Sequence, residues 1–227
     1  MIGASGLIGT QLVELLEKDG HEVVAASRST GVDVLTGDGV AEALAGADAL
    51  VDVVNSPDFS DGPVMDFFTT STANLTAAAK KAGVGHYVAL SIVGCDGLPD
   101  SGYLRAKVAQ EKIIAGSGLP YTLVRATQFA EFADGITDSL VVGDEVRVPD
   151  ALIQPIPAWK VVSVVARAAE AQPLNGYVNI GGPQKISFEQ LARESLARRG
   201  ENKTVVVDPT AKYFGTAVDD RSLVTPD

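Results

Sequence analysis

Tyr103 and Lys107 lie four residues apart in the tract SGYLRAKVAQEK (101–112). At helical spacing two such side chains share a face, so a phenol and an ammonium can converge. A nearby cation lowers a phenol pKa from about 10 and makes it a usable acid at neutral pH. The same spacing also fits two polar residues on an ordinary helix face. Ser91 ends the apolar run HYVALS, where a hydroxyl can polarise a carbonyl. Ser91, Tyr103 and Lys107 are therefore the candidate catalytic residues. Ser91 would polarise, Tyr103 would pass the proton, and Lys107 would hold a ribose and depress the Tyr103 pKa.

A second constellation opens the chain. Gly3, Gly6 and Gly9 form GASGLIG, a G-x-x-G-x-x-G loop that runs into a helical pattern. Glycine is required where backbone approaches a pyrophosphate and where helix meets strand closely. A helix N-terminus then offers free N–H groups and partial positive charge to that anion. Ser5, Leu7 and Ile8 complete the candidate cofactor loop; a tight turn with no ligand is the plain alternative. Further along, AASRST carries no carboxylate before Asp33. Arg28, flanked by Ser27 and Ser29, suits a 2′-phosphate, so NADP (as NADPH) is favoured over NAD. Arg28 as a solvated surface residue is the other reading. Asp33 is placed to meet the adenine, and Asn55, ending ALVDVVN, lies where a dinucleotide would cross the strand ends.

These residues need elements to hold them. A helix is expected after the glycine loop, with Ile8, Leu12, Leu15 and Leu16 on one face and Gly20 as its stop. HEVVAAS and VDVL read as strands, VAEALAGA as a short helix, ALVDVVN as a strand, and 67–81 as a helix. HYVALSIVG, the helix of the opening tract, and YTLVRA follow. Beyond Thr127 the rhythm loosens. Gly, Asp and Pro interrupt 133–158, a helix is expected over 160–171, then the strand YVNIGG. Ser187 caps a helix ending near Arg199, and KTVVVDP is a last strand. Alternating strands and helices give an α/β fold, a Rossmann-type doubly wound parallel sheet with a small C-terminal substrate lobe. Only Met1 and Ile2 precede the first glycine, whereas a central strand needs four to six residues. Either the natural chain starts upstream or the strand is a stub.

With 227 residues, 46% of them hydrophobic, the chain can bury one substantial core. A single domain is expected, with 1–130 as the cofactor-binding core and 131–227 mostly as the substrate lobe. A net charge of −11 argues against nucleic acid or an anionic membrane as partner. No apolar run reaches membrane-spanning length, and no signal peptide is expected ahead of the loop. One cysteine, Cys95, excludes an internal disulfide framework, so a cytoplasmic protein is expected, monomer or homodimer. Cys95 reads as packing, and His21 and His86 as loop residues without metal spacing. Asp219, Asp220 and Arg221 read as solvated surface. Phe129, Phe132 and Trp159 are either pocket wall or lobe core.

GASGLIG, Ser91, Tyr103-x-x-x-Lys107 and VRATQF (124–129) together resemble the short-chain dehydrogenase/reductase superfamily, within it the atypical NmrA-like NAD(P)-binding group. The resemblance implies that the stretch Ala126, Thr127, Gln128 and Phe129 lines the nicotinamide. The expected function is an NADP-dependent oxidoreductase, moving hydride between the nicotinamide and a small organic carbonyl, alkene or quinone. A non-catalytic NADP sensor and an epimerase-like isomerase remain as alternatives.

Overall fold

The computed structural model describes residues 1–226. Four parallel strands form its central sheet in the order β1 (Ala49–Asp52), β2 (His86–Ile92), β3 (Tyr121–Ala126) and β7 (Gly176–Ile180). Ile2 extends the sheet beyond β1 through parallel bridges to Asp52 and Ala26. The chain therefore runs outward from Ile2 to Ala26 in one direction and from β1 to β7 in the other. The gap at this reversal is where open α/β sheets bind ligands.

Strand residues alternate between the two faces with the period of a pleated sheet. Leu50, Tyr87, Ala89 and Leu123 pack under α2 (Val40–Ala43), α3 (Asp61–Ala82) and α4 (Gly102–Gly116). Val51, Val88 and Val124 face α1 (Leu7–Lys18) and α6 (Ala158–Glu170). With helices covering both faces, the strands read as near-continuous apolar runs. The expected α/β, doubly wound architecture is present.

Three local expectations need correction. HEVVAAS forms only a bridge, because its neighbour is the two-residue stretch Met1–Ile2: Ala26 N–H donates to Met1 O and Gly3 N–H to Ala26 O. VDVL is a turn, not a strand. Asp33 Oδ1 accepts from Leu35 N at 2.7 Å, and Gly37 N–H closes on Asp33 O, so a local side-chain bond displaces the ladder. The helix expected over 67–81 begins at Asp61. Ser60 precedes it in extended conformation, Asp61 suits the N-terminal dipole, and Pro63 is harmless in a first turn. Its end is as the residues suggest: Lys80 and Lys81 in the last turn, then Gly83 at φ +75°.

The interrupted region builds a second, smaller core. Here α5 (Ala133–Ser139) and α7 (Phe188–Arg199) pack on a sheet of β4 (Val141–Val142), β5 (Glu145–Val148) and β9 (Thr204–Val207). β6 (Leu152–Ile153) pairs with β8 (Ile186–Ser187) beside them. Ser187 caps α7 as expected, accepting from Gln190 N at 3.1 Å. Between these pieces the chain returns to the main sheet through α6 and β7. Among the described residues no helix is long and apolar enough to cross a membrane.

Candidate functional site

The carboxyl ends of Ile2, β1, β2 and β3 open on a cleft of about 980 Å³ that reaches the smaller core. At its floor, Gly3 takes φ +90°, and a Cβ there would sit 2.9 Å from the Val53 carbonyl carbon. A Cβ on Gly9 would lie 2.1 Å from Gly3 O, so α1 can start this close to the sheet only without a side chain. Over Gly6 the space is open: an added Cβ would meet only Gly3 O, at 3.5 Å. The loop is thus a cradle shaped by the absence of side chains. Leu7, Ile8 and Gly9 open α1, where N–H groups have no intrahelical acceptor.

Ser27 is buried beneath a tight turn, Arg28–Thr30, in which Thr30 Oγ1 accepts from Ser27 N at 2.9 Å. That turn, closed by Gly31 N–H donating to Arg28 O, holds Arg28 at the exposed rim of the cleft, and the Arg28 side chain makes no ion pair or hydrogen bond among the described residues. Ser29 bonds to Ser27 (2.7 Å) and Asp33 caps its own turn; neither they nor Gly9 form the cleft wall. Gly3, Ser5, Gly6, Leu7, Ile8, Asn55 and the stretch Ala126–Phe129 all do.

Ser91, Tyr103 and Lys107 line the same cleft but make separate bonds. Tyr103 Oη donates to Asn55 Oδ1 at 3.1 Å. Burial pushes its pKa up to about 12, against the lowering expected from Lys107, so the phenol keeps its proton at neutral pH. Lys107 points the other way, from α4 onto the sheet. Its Nζ donates to Leu90 O at 2.9 Å and to Gln110 Oε1, and sits 4.5 Å from the Phe68 ring centroid. Two of three ammonium protons are thereby used, leaving one for a ligand. Burial lowers the Lys107 pKa to about 8, with Asp52 and Glu111 opposing the shift. Ser91 gives its only proton to Glu111 Oε1 at 2.5 Å, so that hydroxyl is not free to polarise a carbonyl.

Behind this wall lies a buried charge network that the motifs alone do not point to. Glu111 is held by Arg125 through Nη2 (2.5 Å) and Nε (2.9 Å), both side chains being 8% exposed. Asp52 accepts from Tyr87 Oη (2.9 Å) and Gln110 Nε2 (3.1 Å), wholly inside the protein, and burial raises its pKa. The signals were in the sequence. Lys107 and Glu111 repeat the i, i+4 spacing of Tyr103 and Lys107, and Arg125 is a lone charge inside the strand YTLVRA. Other expectations resolve simply. Phe129 and Phe132 wall the cleft, whereas Trp159 is exposed and does not. His21 has a carboxylate partner, Glu170 at 2.9 Å, and His86 is buried at the start of β2, bonded to Thr122. Cys95 is core packing, its thiol pushed up to about 12 chiefly by burial.

The residues present fit a dinucleotide. The cradle over Gly6 is open to the cleft, and Gln128 Oε1, in the cleft wall, is buried without a hydrogen-bond partner. Such an acceptor is costly unless something donates to it.

Comparison with known proteins agrees with this geometry. Residues 3–172 match the model of a family described as NAD(P)H-binding. Sanguinarine reductase of Eschscholzia californica is 38% identical over 85 residues, 34% of this chain and 30% of that protein. The chain spans less than half the length of the curated relatives it matches. Among solved structures, an NADPH-dependent quinone oxidoreductase of Escherichia coli bound to NADPH superimposes with TM-score 0.68 at 23% identity, covering 92% of this chain and 77% of that one. The UDP-glucose 4-epimerase of Thermus thermophilus, bound to NAD, gives 0.73 at 17% identity, covering 97% and 89%. The fold is the one shared by NAD(P)-binding reductases and epimerases, as the resemblance to short-chain dehydrogenases/reductases implied. With three quarters of its length matched by that family model, the chain belongs to the NAD(P)H-binding family.

Proposed function

We propose that this protein is an NADP-dependent oxidoreductase of the short-chain dehydrogenase/reductase type, acting on a small organic carbonyl, alkene or quinone. The observation that carries the proposal is that Tyr103 and Lys107 line the same cleft as the glycine cradle. In this reading residues 1–130 hold the cofactor and 131–227 supply most of the substrate lobe. The N–H groups that open α1 would hold the pyrophosphate, Gln128 Oε1 would accept from the carboxamide, and the third Lys107 proton would reach the ribose. A reduced nicotinamide, when bound, would supply the hydride. Tyr103 would donate its Oη proton to the acceptor and regain one from solvent, with Asn55 fixing the phenol's direction. Lys107 would act on the ribose and not on the phenol, since its ammonium is turned to Leu90 O and Gln110. Ser91 would serve as wall, its hydrogen bond committed to Glu111.

That commitment is also what favours a second reading, an NADP-binding sensor without turnover. Monitoring loss of reduced-nicotinamide absorbance with a panel of carbonyls, activated alkenes and quinones separates the two. Consumption matched one to one by reduced acceptor supports the enzyme; saturable NADPH binding without consumption supports the sensor.

Two further outcomes are expected. Arg28→Ala should weaken NADPH by about 10- to 100-fold, the worth of a charge-assisted phosphate contact, and leave NADH within about twofold. Equal losses would remove Arg28 from cofactor choice. Lys107 is charged below its pKa of about 8 and neutral above it, so kcat/KM for NADPH should fall as pH rises through that value. The fall should vanish in Lys107→Met; a flat wild-type profile would contradict the role.

A further inference from the structure

Three aromatic side chains from separate stretches of chain line the cleft and stand exposed at its mouth. Phe59 precedes α3, Phe132 follows β3, and Phe214 comes from the C-terminal segment; they are 56%, 51% and 56% exposed. Phenylalanine is normally buried, and this chain has only seven, so three exposed around one opening need a reason. Phe132 stacks with Phe129 (centroids 5.5 Å, planes 29° apart), while Phe59 meets the Tyr103 ring edge-on at 5.1 Å.

Phe214 is the informative member. Tyr213 and Thr216 exchange both backbone bonds (2.9 and 3.0 Å), closing a two-residue turn with Phe214 at φ +42° and Gly215 at φ +83°. Positive φ at both central positions marks a type I′ turn, which asks for Asn, Asp or Gly. A bulky residue there is strained, and such strain persists where the surroundings impose it. The turn is anchored from below by buried Tyr213, packed on Phe188 at 5.7 Å, and by buried Thr216. A turn residue would be easier at position 214, yet the fold holds a phenyl ring over the cleft mouth.

Charge narrows what such a mouth can take. The basic side chains lining the cleft are Arg28, at the glycine-loop end, and Lys107, already bonded to Leu90 and Gln110. The other charged groups in the wall are the carboxylates of Asp61 and Glu131, neighbours in sequence of Phe59 and Phe132; Glu131 also accepts from Ala158 N. Arg105 behind Asp61 is tied to it at 2.6 Å and to Pro99 O. A nucleotide sugar would bring a diphosphate next to these two carboxylates, with no further cationic side chain of the described residues in the wall to meet it. A flat, uncharged or cationic ring system would stack on phenyl faces without that cost.

We infer that the substrate is a planar aromatic electrophile without anionic groups, stacked at this mouth, and that Phe214 is a specificity-determining residue kept there at the expense of turn geometry. The inference rests on the oxidoreductase reading for the reaction but not for binding. The test is calorimetric titration of the whole chain with phenanthrenequinone, cyclohexanedione and UDP-glucose, with and without NADP⁺. NADPH affinity and Tm are measured alongside for wild type, Phe214→Asn and Phe132→Ala. Wild type should take phenanthrenequinone at least tenfold more tightly than either comparator. Each variant should lose about three- to tenfold of that affinity, the worth of one aromatic contact, with NADPH affinity unchanged. Phe214→Asn should keep or raise Tm, since asparagine suits the turn. UDP-glucose binding as tightly as the quinone would overturn the substrate class. Unchanged quinone affinity in Phe214→Asn, or a loss seen only with a fallen Tm there, would overturn the role of Phe214. Failure of NADPH to bind while the quinone pattern holds would strike the oxidoreductase reading and leave this one standing.

Discussion

Tyr103→Phe should lower kcat by about 10²- to 10⁴-fold and leave NADPH affinity within about twofold, since removing one hydroxyl removes the proton donor but not the ring. The geometry makes the change unusually clean. Among the described residues Tyr103 Oη has one partner, Asn55 Oδ1, and that side chain also accepts from Ser56 N, so it is not left unpaired by the loss. The ring keeps its contacts with Phe59 and Phe68. A structural loss should therefore be small, and Tm is the control. Turnover preserved in the variant would show that the proton comes from elsewhere. Water admitted through the exposed rim of the cleft would be the next donor to examine.

Glu111→Leu should destabilise the protein by about 3–5 kcal/mol, because it leaves the Arg125 guanidinium buried against an apolar neighbour. Arg125 retains Asp96 at 3.2 Å and the Tyr177 ring at 4.0 Å, but Asp96 is 57% exposed and cannot replace a bidentate buried partner. Glu111→Leu combined with Arg125→Met removes both charges together and should recover most of the loss, since an apolar pair of similar volume avoids desolvation altogether. Urea unfolding of the two variants checks this. A loss below about 1 kcal/mol in the single variant would mean that Arg125 reaches water by a small movement. The pair also holds Ser91, so the single variant releases that hydroxyl toward the cleft.

The sheet was legible because its signals are local and mutually consistent. YTLVRA is β3 residue for residue, and Ser187 is both the sequence cap and the structural one. The glycine loop could be read because two of its glycines answer separate steric demands, Gly3 for φ and Gly9 for the approach of α1, while Gly6 has room for a Cβ and owes its place to the pattern alone. VDVL misled because β-branched residues favour a strand while Asp33 can form its own turn, and the choice depends on neighbours not present in the segment. The expected Tyr103–Lys107 interaction failed for a similar reason. Spacing puts two residues on one face but does not say which acceptors lie beneath, and Leu90 O and Gln110 take the Lys107 ammonium. Ser91 was read by position, yet its proton goes to a glutamate twenty residues on, which only the packing of α4 on β2 brings near. Phe214 was beyond reach altogether. A YFG tripeptide in an irregular tail gives no hint of a two-residue turn over a cleft formed mostly by the other half of the chain.

The measurement that bears most directly on the central claim is calorimetric titration of the purified chain with NADPH and NADH side by side. Saturable binding of NADPH at one site per chain, at least tenfold tighter than NADH, is the result expected from the glycine cradle, the unpartnered Gln128 Oε1 and the free Arg28. Binding of neither nucleotide would contradict the reading of the cleft as a dinucleotide site, and with it the proposed chemistry.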